Sequence, residues 1–294
     1  MSGLATPCSG KIRYRSCAVK IIQITDTHLS PVKTHFNANW EPLVRWIEGE
    51  KPDLVVHTGD LTIDGADFED DLVAARDMLR QLSMPVLVVP GNHDVGHFHG
   101  SAQPVNSERL ERWRRLVGPD YWAHDADGWR IIGLNSLLIG LGGDEEEAQE
   151  RWLNDVLDER GGRRVALFTH KPLFVDEAHE PEAGYWSIPF DVRMRLFDLL
   201  AKHDVGLVGS GHLHWSWIGQ HENTKLVWAP PSSFILGDME REMPGDRMVG
   251  AAIHELGDAV ESVLVSVDGL TPYYLDDVVA EVYPSAVKNK EAAE

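Results

Sequence analysis

The chain has 294 residues, 43% hydrophobic and 25% charged, the make-up of a soluble globular protein with room for one large α/β domain or two modest ones. Its 27 Lys and Arg against 47 Asp and Glu give a formal charge of −20, which argues against a surface that tracks long nucleic acids and favours a small phosphorylated substrate. No run approaches the roughly 18 apolar residues of a membrane span, so no membrane partner is expected.

Residues 1–17 read as a flexible leader. They lack the continuous apolar stretch of roughly 7 to 15 residues found in a secretory signal, so a cytoplasmic location is expected. Cys8 and Cys17 both lie there, too few for a disulfide framework, and read as a loose pair of surface thiols.

AVKIIQIT (18–25) is a β-branched run ending at Asp26, and an amphipathic helix is predicted over 39–50. A strand over 52–60, a helix over 66–82 and a strand over 85–94 complete two consecutive βαβ units. Parallel sheets of this kind carry ligand-binding residues beyond the carboxyl ends of their strands. Asp26, Asp60 and Asn92 each sit at such an end and should converge on one edge of the sheet.

Further helices are predicted over 107–118, 145–160 and 192–204; the acidic first turn of the second suits the helix dipole. Strands are predicted over 128–136, 163–172, which delivers His170, and 205–214, which ends in His212 and His214. The segments 224–231, 248–256 and 259–269 read as strands of an antiparallel or mixed second half, and the aliphatic strands between Met248 and Val267 could form the edge of a homo-oligomer. No fixed repeat or linker divides residues 18–270, which read as one domain; 271–294 reads as a C-terminal extension or tail, loosely held from about Ala280.

Divalent metals of hard and borderline character want carboxylate oxygen and imidazole nitrogen, and a pair of them needs a bridging carboxylate. The chain offers D-T-H at Asp26–His28, G-D at Gly59–Asp60, G-N-H-D at Gly91–Asp94, a single His170 after a strand, and G-H-L-H at Gly211–His214. Each motif alone is weak, but five in this order, each at a predicted strand end, are hard to explain as independent accidents.

With these motifs the chain resembles the calcineurin-like metallophosphoesterases over about residues 18–265, and within them the class III branch of bacterial cyclic-nucleotide and glycerophosphodiester phosphodiesterases. The resemblance implies a four-layer α/β/β/α sandwich of two mixed β-sheets flanked by helices. It implies two transition-metal ions, of which Fe, Mn and Zn are candidates: Asp26, His28 and His214 would bind one, Asn92, His170 and His212 the other, and Asp60 would bridge. Water activated by such a pair attacks phosphorus in line. His93 is implied as the group that stabilises or protonates the leaving oxygen, with Asp94 orienting its ring. Gly59, Gly91 and Gly211 are expected to relax the backbone where the strands turn beside the metals.

The other histidines read differently. His57 is expected to be packed and hydrogen-bonded, whereas His97 and His99 either reach substrate from the rim or belong to a surface loop. Trp215, Trp217, Tyr185 and Trp186 could cover an organic group or serve as packing. Relatives that act on phosphoserine and phosphothreonine carry an arginine soon after the G-D motif, and GDLTIDGAD here has none, which favours a phosphodiester. A phosphomonoesterase, a pyrophosphate-cleaving hydrolase and a non-catalytic binding scaffold are the alternatives.

Overall fold

The computed structural model of the chain describes residues 18–181, 185–237 and 241–283; the leader with its two cysteines, and residues 284–294, lie outside the described residues. The first half runs β1 (Val19–Ile24), α1 (Trp40–Glu50), β2 (Leu54–His57), α2 (Glu69–Leu79), β3 (Val86–Val88), a short α3 (Asn92–Val95) and α4 (Ser107–Leu116). It continues through β4 (Trp122–Ala126), β5 (Trp129–Gly133), α5 (Asp144–Asp158), β6 (Arg164–Phe168), α6 (Phe190–Lys202), β7 (Val205–Ser210), β8 (Trp217–His221) and β9 (Thr224–Trp228). The chain closes with β10 (Phe234–Ile235), β11 (Gly250–Leu256), β12 (Val260–Ser266), β13 (Tyr273–Tyr274) and α7 (Leu275–Val282).

Two mixed sheets result, ordered β12-β11-β1-β2-β3 and β4-β5-β6-β7-β9-β8. Alternate residues of their central strands are apolar on both faces, and each face finds a different partner. Ile21, Val56 and Ala252 of the first sheet meet Ile131, Phe168 and Leu207 of the second. Their neighbours Ile22, Ile24 and Val55 pack outward on Leu43, Ile47, Leu72 and Leu110 of α1, α2 and α4. On the far side Ile132, Val165 and Leu167 pack on Leu153, Leu157, Leu196 and Leu200 of α5 and α6. Burial on both faces is why these strands read as unbroken aliphatic runs, and it produces the expected four layers.

The predicted strands over 248–256 and 259–269 form, but they do not extend the second half. β11 returns to pair antiparallel with β1, Val19 opposite Leu256, so the C-terminal hairpin completes the first sheet. Hydrophobic alternation specifies a strand and its buried faces, not its neighbour. The expectation of a loosely held end from about Ala280 falls mostly on residues 284–294, outside the described residues; its start is docked instead, Val282 being fully buried with Phe36, Ile63 and Phe234 because α7 presents an apolar face that those residues cover. Among the described residues no helix is long and apolar enough to cross a membrane.

Candidate metal centre

The seven residues expected as ligands meet at one place, but both sheets are needed to assemble them. Asp26 and His28 follow β1, Asp60 follows β2 and Asn92 opens α3; His170 follows β6, and His212 and His214 follow β7. None is more than 7% exposed. Five of them, Asp26, His28, Asp60, His212 and His214, have positive φ between 46° and 71°, a left-handed conformation that costs a non-glycine residue of order 1–3 kcal/mol. Cross-connections hold these turns: Asp26 N–H donates to Gly59 O at 3.0 Å, His28 N–H to Asp60 O at 3.1 Å and Gly211 N–H to His170 O at 2.9 Å.

The glycines act in two ways. Gly59 has φ +93°, as expected of a backbone turning sharply. Gly91 has an ordinary φ of −104°, and what it supplies is room, since a Cβ there would collide with the backbone nitrogen and carboxylate of Asp60.

Two groups of donor atoms form, each within 4.8 Å: Asp26, His28 and His214, and Asp60, His170 and His212. Asn92 joins the second through Oδ1, 3.1 Å from His170 Nε2. Asp60 lies between them, its Oδ2 3.4 Å from His170 Nε2 and 3.9 Å from His28 Nε2.

Each imidazole is anchored by its outer nitrogen. His170 Nδ1 donates to Thr58 O at 2.8 Å, His214 Nδ1 to Phe234 O at 2.7 Å and His212 Nε2 to Tyr185 O at 3.0 Å, while His28 Nδ1 shares a hydrogen bond of 2.9 Å with the Tyr283 hydroxyl. A carbonyl accepts and never donates, so Thr58, Phe234 and Tyr185 fix N–H at the outer nitrogens of His170, His214 and His212 and leave the inner nitrogen of each neutral ring as a lone pair; the Tyr283 hydroxyl, which both donates and accepts, leaves the His28 tautomer open. Those nitrogens confront each other, His28 Nε2 and His214 Nε2 at 3.2 Å, His170 Nε2 and His212 Nδ1 at 3.1 Å. Buried Asp26 Oδ1 has no hydrogen-bond partner among the described residues. Inner imidazole nitrogens facing one another at 3.1–3.2 Å, beside an unsatisfied buried carboxylate oxygen, fit a cation taking the place of a proton in each group.

The electrostatics agree. Burial raises the Asp26 carboxyl to about 7, with Asp60 adding to it. Asp60 is also buried, which alone would raise it, yet His170 and His93 hold it well below the usual carboxylate range. Burial works against charge on His170, but Asp60 lifts it to about 9, so the side chains alone retain a proton where positive charge is wanted.

His93 stands beside the donors without joining them. Its Nδ1 bonds Ile63 O at 2.9 Å, its backbone N–H donates to Asp60 Oδ1 at 2.8 Å, and its ring packs on those of His28 and Tyr283, with centroids 5.0 and 4.9 Å away. Asp94 does not orient that ring, a correction to the expectation. From the first turn of α3 its carboxylate points back to accept from Gly91 N at 2.8 Å, Leu61 N at 3.1 Å, Thr62 N at 3.0 Å and Thr62 Oγ1 at 2.7 Å. It ties the Asp60 and Asn92 loops together, and Ile63 O takes the orienting role.

His57 is packed as expected, bonded to Thr27 Oγ1 at 2.9 Å. Trp215 and Trp217 are packing, in an aromatic cluster with Trp228. Tyr185 reaches the centre, its hydroxyl accepting from Asn92 Nδ2 at 3.3 Å. Buried Glu180 accepts from the Val175 and Asp176 amides at 2.8 Å each and from Ser187 Oγ, two residues beyond Tyr185, at 3.5 Å, and it lies 3.5 Å from buried Arg193 and 3.2 Å from Arg241. Arg109 and Arg112 reach the loop after Asp60 but bind Ala66 O, and Arg109 also bonds Asp67. His97 and Lys171 are both buried, and burial together with Lys171 pushes His97 down to about 3. Tyr283 was not legible as a site residue: it lies far beyond the last motif, at the end of an eight-residue helix whose sequence signals only amphipathicity.

Residues 19–216 match the family described as Calcineurin-like phosphoesterase. The chain is 28% identical over 173 residues to the serine/threonine-protein phosphatase CPPED1 of Homo sapiens, covering 57% of this chain and 52% of that protein. It thus spans about half the length of that relative. It is 30% identical over 259 residues to the probable glycerophosphodiester phosphodiesterase GpdQ of Arcobacter nitrofigilis, covering 76% of this chain and 82% of that protein. Its fold is similar to that of the purple acid phosphatase PPD1 from yellow lupin, Lupinus luteus, with a TM-score of 0.64 at 14% identity over 88% of this chain and 53% of that one.

Proposed function

Because this chain belongs to the calcineurin-like phosphoesterase family, we propose that it is a phosphoric ester hydrolase with a binuclear metal centre acting on a small phosphodiester. The observation that carries the reading is Asp60 Oδ2, set between two groups of imidazole and carboxylate donors. Asp26, His28 and His214 would hold one ion, Asn92, His170 and His212 the other, and Asp60 would be shared. Bound there, a pair of Fe, Mn or Zn ions supplies Lewis-acid polarisation of the phosphoryl group and a water acidic enough to ionise near neutral pH.

The chain's own residues do the rest. The carbonyls of Thr58, Phe234 and Tyr185 hold three rings in the tautomer that presents a lone pair inward. His93 keeps its Nδ1–H on Ile63 O, which leaves Nε2 to face the leaving alcohol oxygen, stabilising it and, as the imidazolium, giving it the Nε2 proton while the ring stays neutral with Nδ1–H. The protein layers bury the donors and keep bulk water from competing for them.

A diester is favoured over a monoester because the two arginines that reach the loop after Asp60 are spent on Ala66 and Asp67, leaving neither to grip a dianion bidentately. Protein reconstituted with Mn, Fe, Co, Ni or Zn should hydrolyse bis(p-nitrophenyl) phosphate faster than p-nitrophenyl phosphate. Preference for the monoester would overturn the diester assignment, and no hydrolysis with any ion would return the chain to a binding scaffold.

A further inference from the structure

The layer where the two sheets face each other is built from apolar side chains, among them Ile21, Val56, Ile131, Phe168 and Leu207, yet a chain of polar groups crosses it. Gln23, next to last in β1, is fully buried there. Its Nε2 donates to Thr58 Oγ1, just beyond β2 of the same sheet, at 3.0 Å, and to the carbonyl of Ser210, the last residue of β7 in the other sheet, at 3.0 Å. Its Oε1 faces Nε2 of fully buried His254 at 3.0 Å, and His254 Nδ1 faces Ser262 Oγ at 2.9 Å.

A backbone carbonyl accepts and never donates, so Ser210 O sets the direction of the whole chain. Gln23 turns its NH2 towards that carbonyl, and its own oxygen then meets an N–H of His254. Burial keeps the His254 ring neutral, and its Nδ1 is left to accept from the Ser262 hydroxyl. Gly209 makes the room for this crossing: a Cβ there would lie 2.6 Å from Gln23 Oε1 and 2.8 Å from the Phe168 ring.

Both acceptors of the Gln23 amide stand two residues before a metal donor, Thr58 before Asp60 and Ser210 before His212. Thr58 O also anchors His170 Nδ1 at 2.8 Å. Asp60, His170 and His212 are the second donor group, which takes Asp60 from one sheet and its two imidazoles from the other. Their convergence depends on the offset between the sheets. Hydrophobic contact is non-directional and rewards burial at many offsets, whereas a hydrogen bond is directional and holds one. The first group is tied at its own ligand, where Asp26 Oδ2 accepts from His212 N at 3.1 Å and Asp26 O from Ser233 Oγ at 2.5 Å.

We propose that Gln23 is a positioning residue for the second metal: its amide holds Thr58 and Ser210 at the offset that brings Asp60, His170 and His212 to one ion, and His254 acts through it by fixing which end of the amide faces Ser210. The inference rests on the binuclear reading, since a bound ion is what requires these three donors at one point.

The test titrates the Mn-loaded protein with a chelator and follows the release of each ion. The second ion is the one whose release phase disappears in Asn92→Ala, because Asn92 joins that group. Gln23→Met, similar in length and apolar, should weaken the second ion by about tenfold, the lower end of what the loss of a supporting hydrogen bond costs a metal site, and leave the first unchanged. His254→Phe should weaken the same ion, while His254→Gln, which keeps a donor towards Gln23, should restore most of the affinity. The two His254 variants decide the matter if Gln23→Met does not fold. A merely structural role would lower the thermal midpoint of the metal-free protein without separating the ions. Equal weakening of both ions, or release as in the unaltered protein, overturns the proposal, and His254→Gln as weak as His254→Phe overturns the role of His254. Selective loss of the second ion supports the proposal whether or not any ester is hydrolysed, so two bound ions without turnover count against the hydrolase reading alone. Fewer than two ions on the unaltered protein would overturn the binuclear reading and this proposal with it.

Discussion

The Tyr283 hydroxyl lies 2.9 Å from Nδ1 of His28, and the same ring packs on His93 with centroids 4.9 Å apart. One residue at the end of α7 therefore contacts both a metal donor of the first sheet and the neighbouring histidine proposed to protonate the leaving group. Buried outer hydrogen bonds of this kind set the direction and basicity of a ligand, and their loss costs roughly 10- to 100-fold in metal affinity. Tyr283→Phe should weaken one of two bound ions by that factor and leave the other in place, read by titrating the loaded protein with a chelator. Two ions released as in the unaltered protein would show that the contact is packing only.

His93 belongs to neither donor group, and its Nδ1 is anchored on Ile63 O. His93→Ala is expected to lower kcat by about 10²- to 10⁴-fold, the usual contribution of a positioned acid, with metal content unchanged. Metal analysis beside the rate decides the point, since a loss of ions in step with activity would make His93 a ligand.

Arg193 and Glu180 form a buried pair, and Glu180 also accepts from the amides of Val175 and Asp176 and from Ser187 Oγ. Removing one partner of a buried pair costs about 3–5 kcal/mol when it strands the other's charge; here Arg241, 3.2 Å from Glu180 Oε2, still pairs with the carboxylate, so a smaller loss is expected. Arg193→Met should lower the thermal midpoint accordingly and weaken the His212-containing site, because Glu180 also holds Ser187, two residues beyond the Tyr185 whose carbonyl fixes the His212 tautomer. Differential scanning calorimetry reads the first effect; an unaltered midpoint would mean that the pair contributes no stability.

Acid should destabilise the fold through His57 and His254, which burial holds down to about 3 from an ordinary 6.5. Below about pH 6.5 the unfolded chain protonates both rings while the folded chain keeps them neutral until near pH 3. The unfolded state thus binds more protons in that window, and stability falls as pH falls, by up to a few kcal/mol in all. His254 sits away from the metal donors, bonded to Gln23 Oε1 at 3.0 Å and Ser262 Oγ at 2.9 Å. His254→Gln should flatten the decline between pH 6.5 and 4 in urea titrations, and an unchanged slope would assign the acid sensitivity to other groups.

The sequence by itself determined the strands of the βαβ units and the donors presented at the strand ends, while the four layers were expected only from the family resemblance. The strands and donors are local properties: a short aliphatic run, a turn after it, and a carboxylate or imidazole at its tip. Tertiary structure decided what each donor faces. The carbonyls of Thr58, Tyr185 and Phe234 that orient the imidazoles have no signature, because every residue carries a carbonyl, and Thr58 and His170 are separated by 112 positions. The same holds for β11 beside β1, for Asp94 turned onto the Leu61 and Thr62 amides instead of His93, and for Tyr283 on His28. His97 was visible only as one of two histidines in a polar loop. Its burial, with both nitrogens unpaired among the described residues, arises only when the 96–105 loop folds against Tyr185, since burial depends on distant neighbours and no local pattern encodes it.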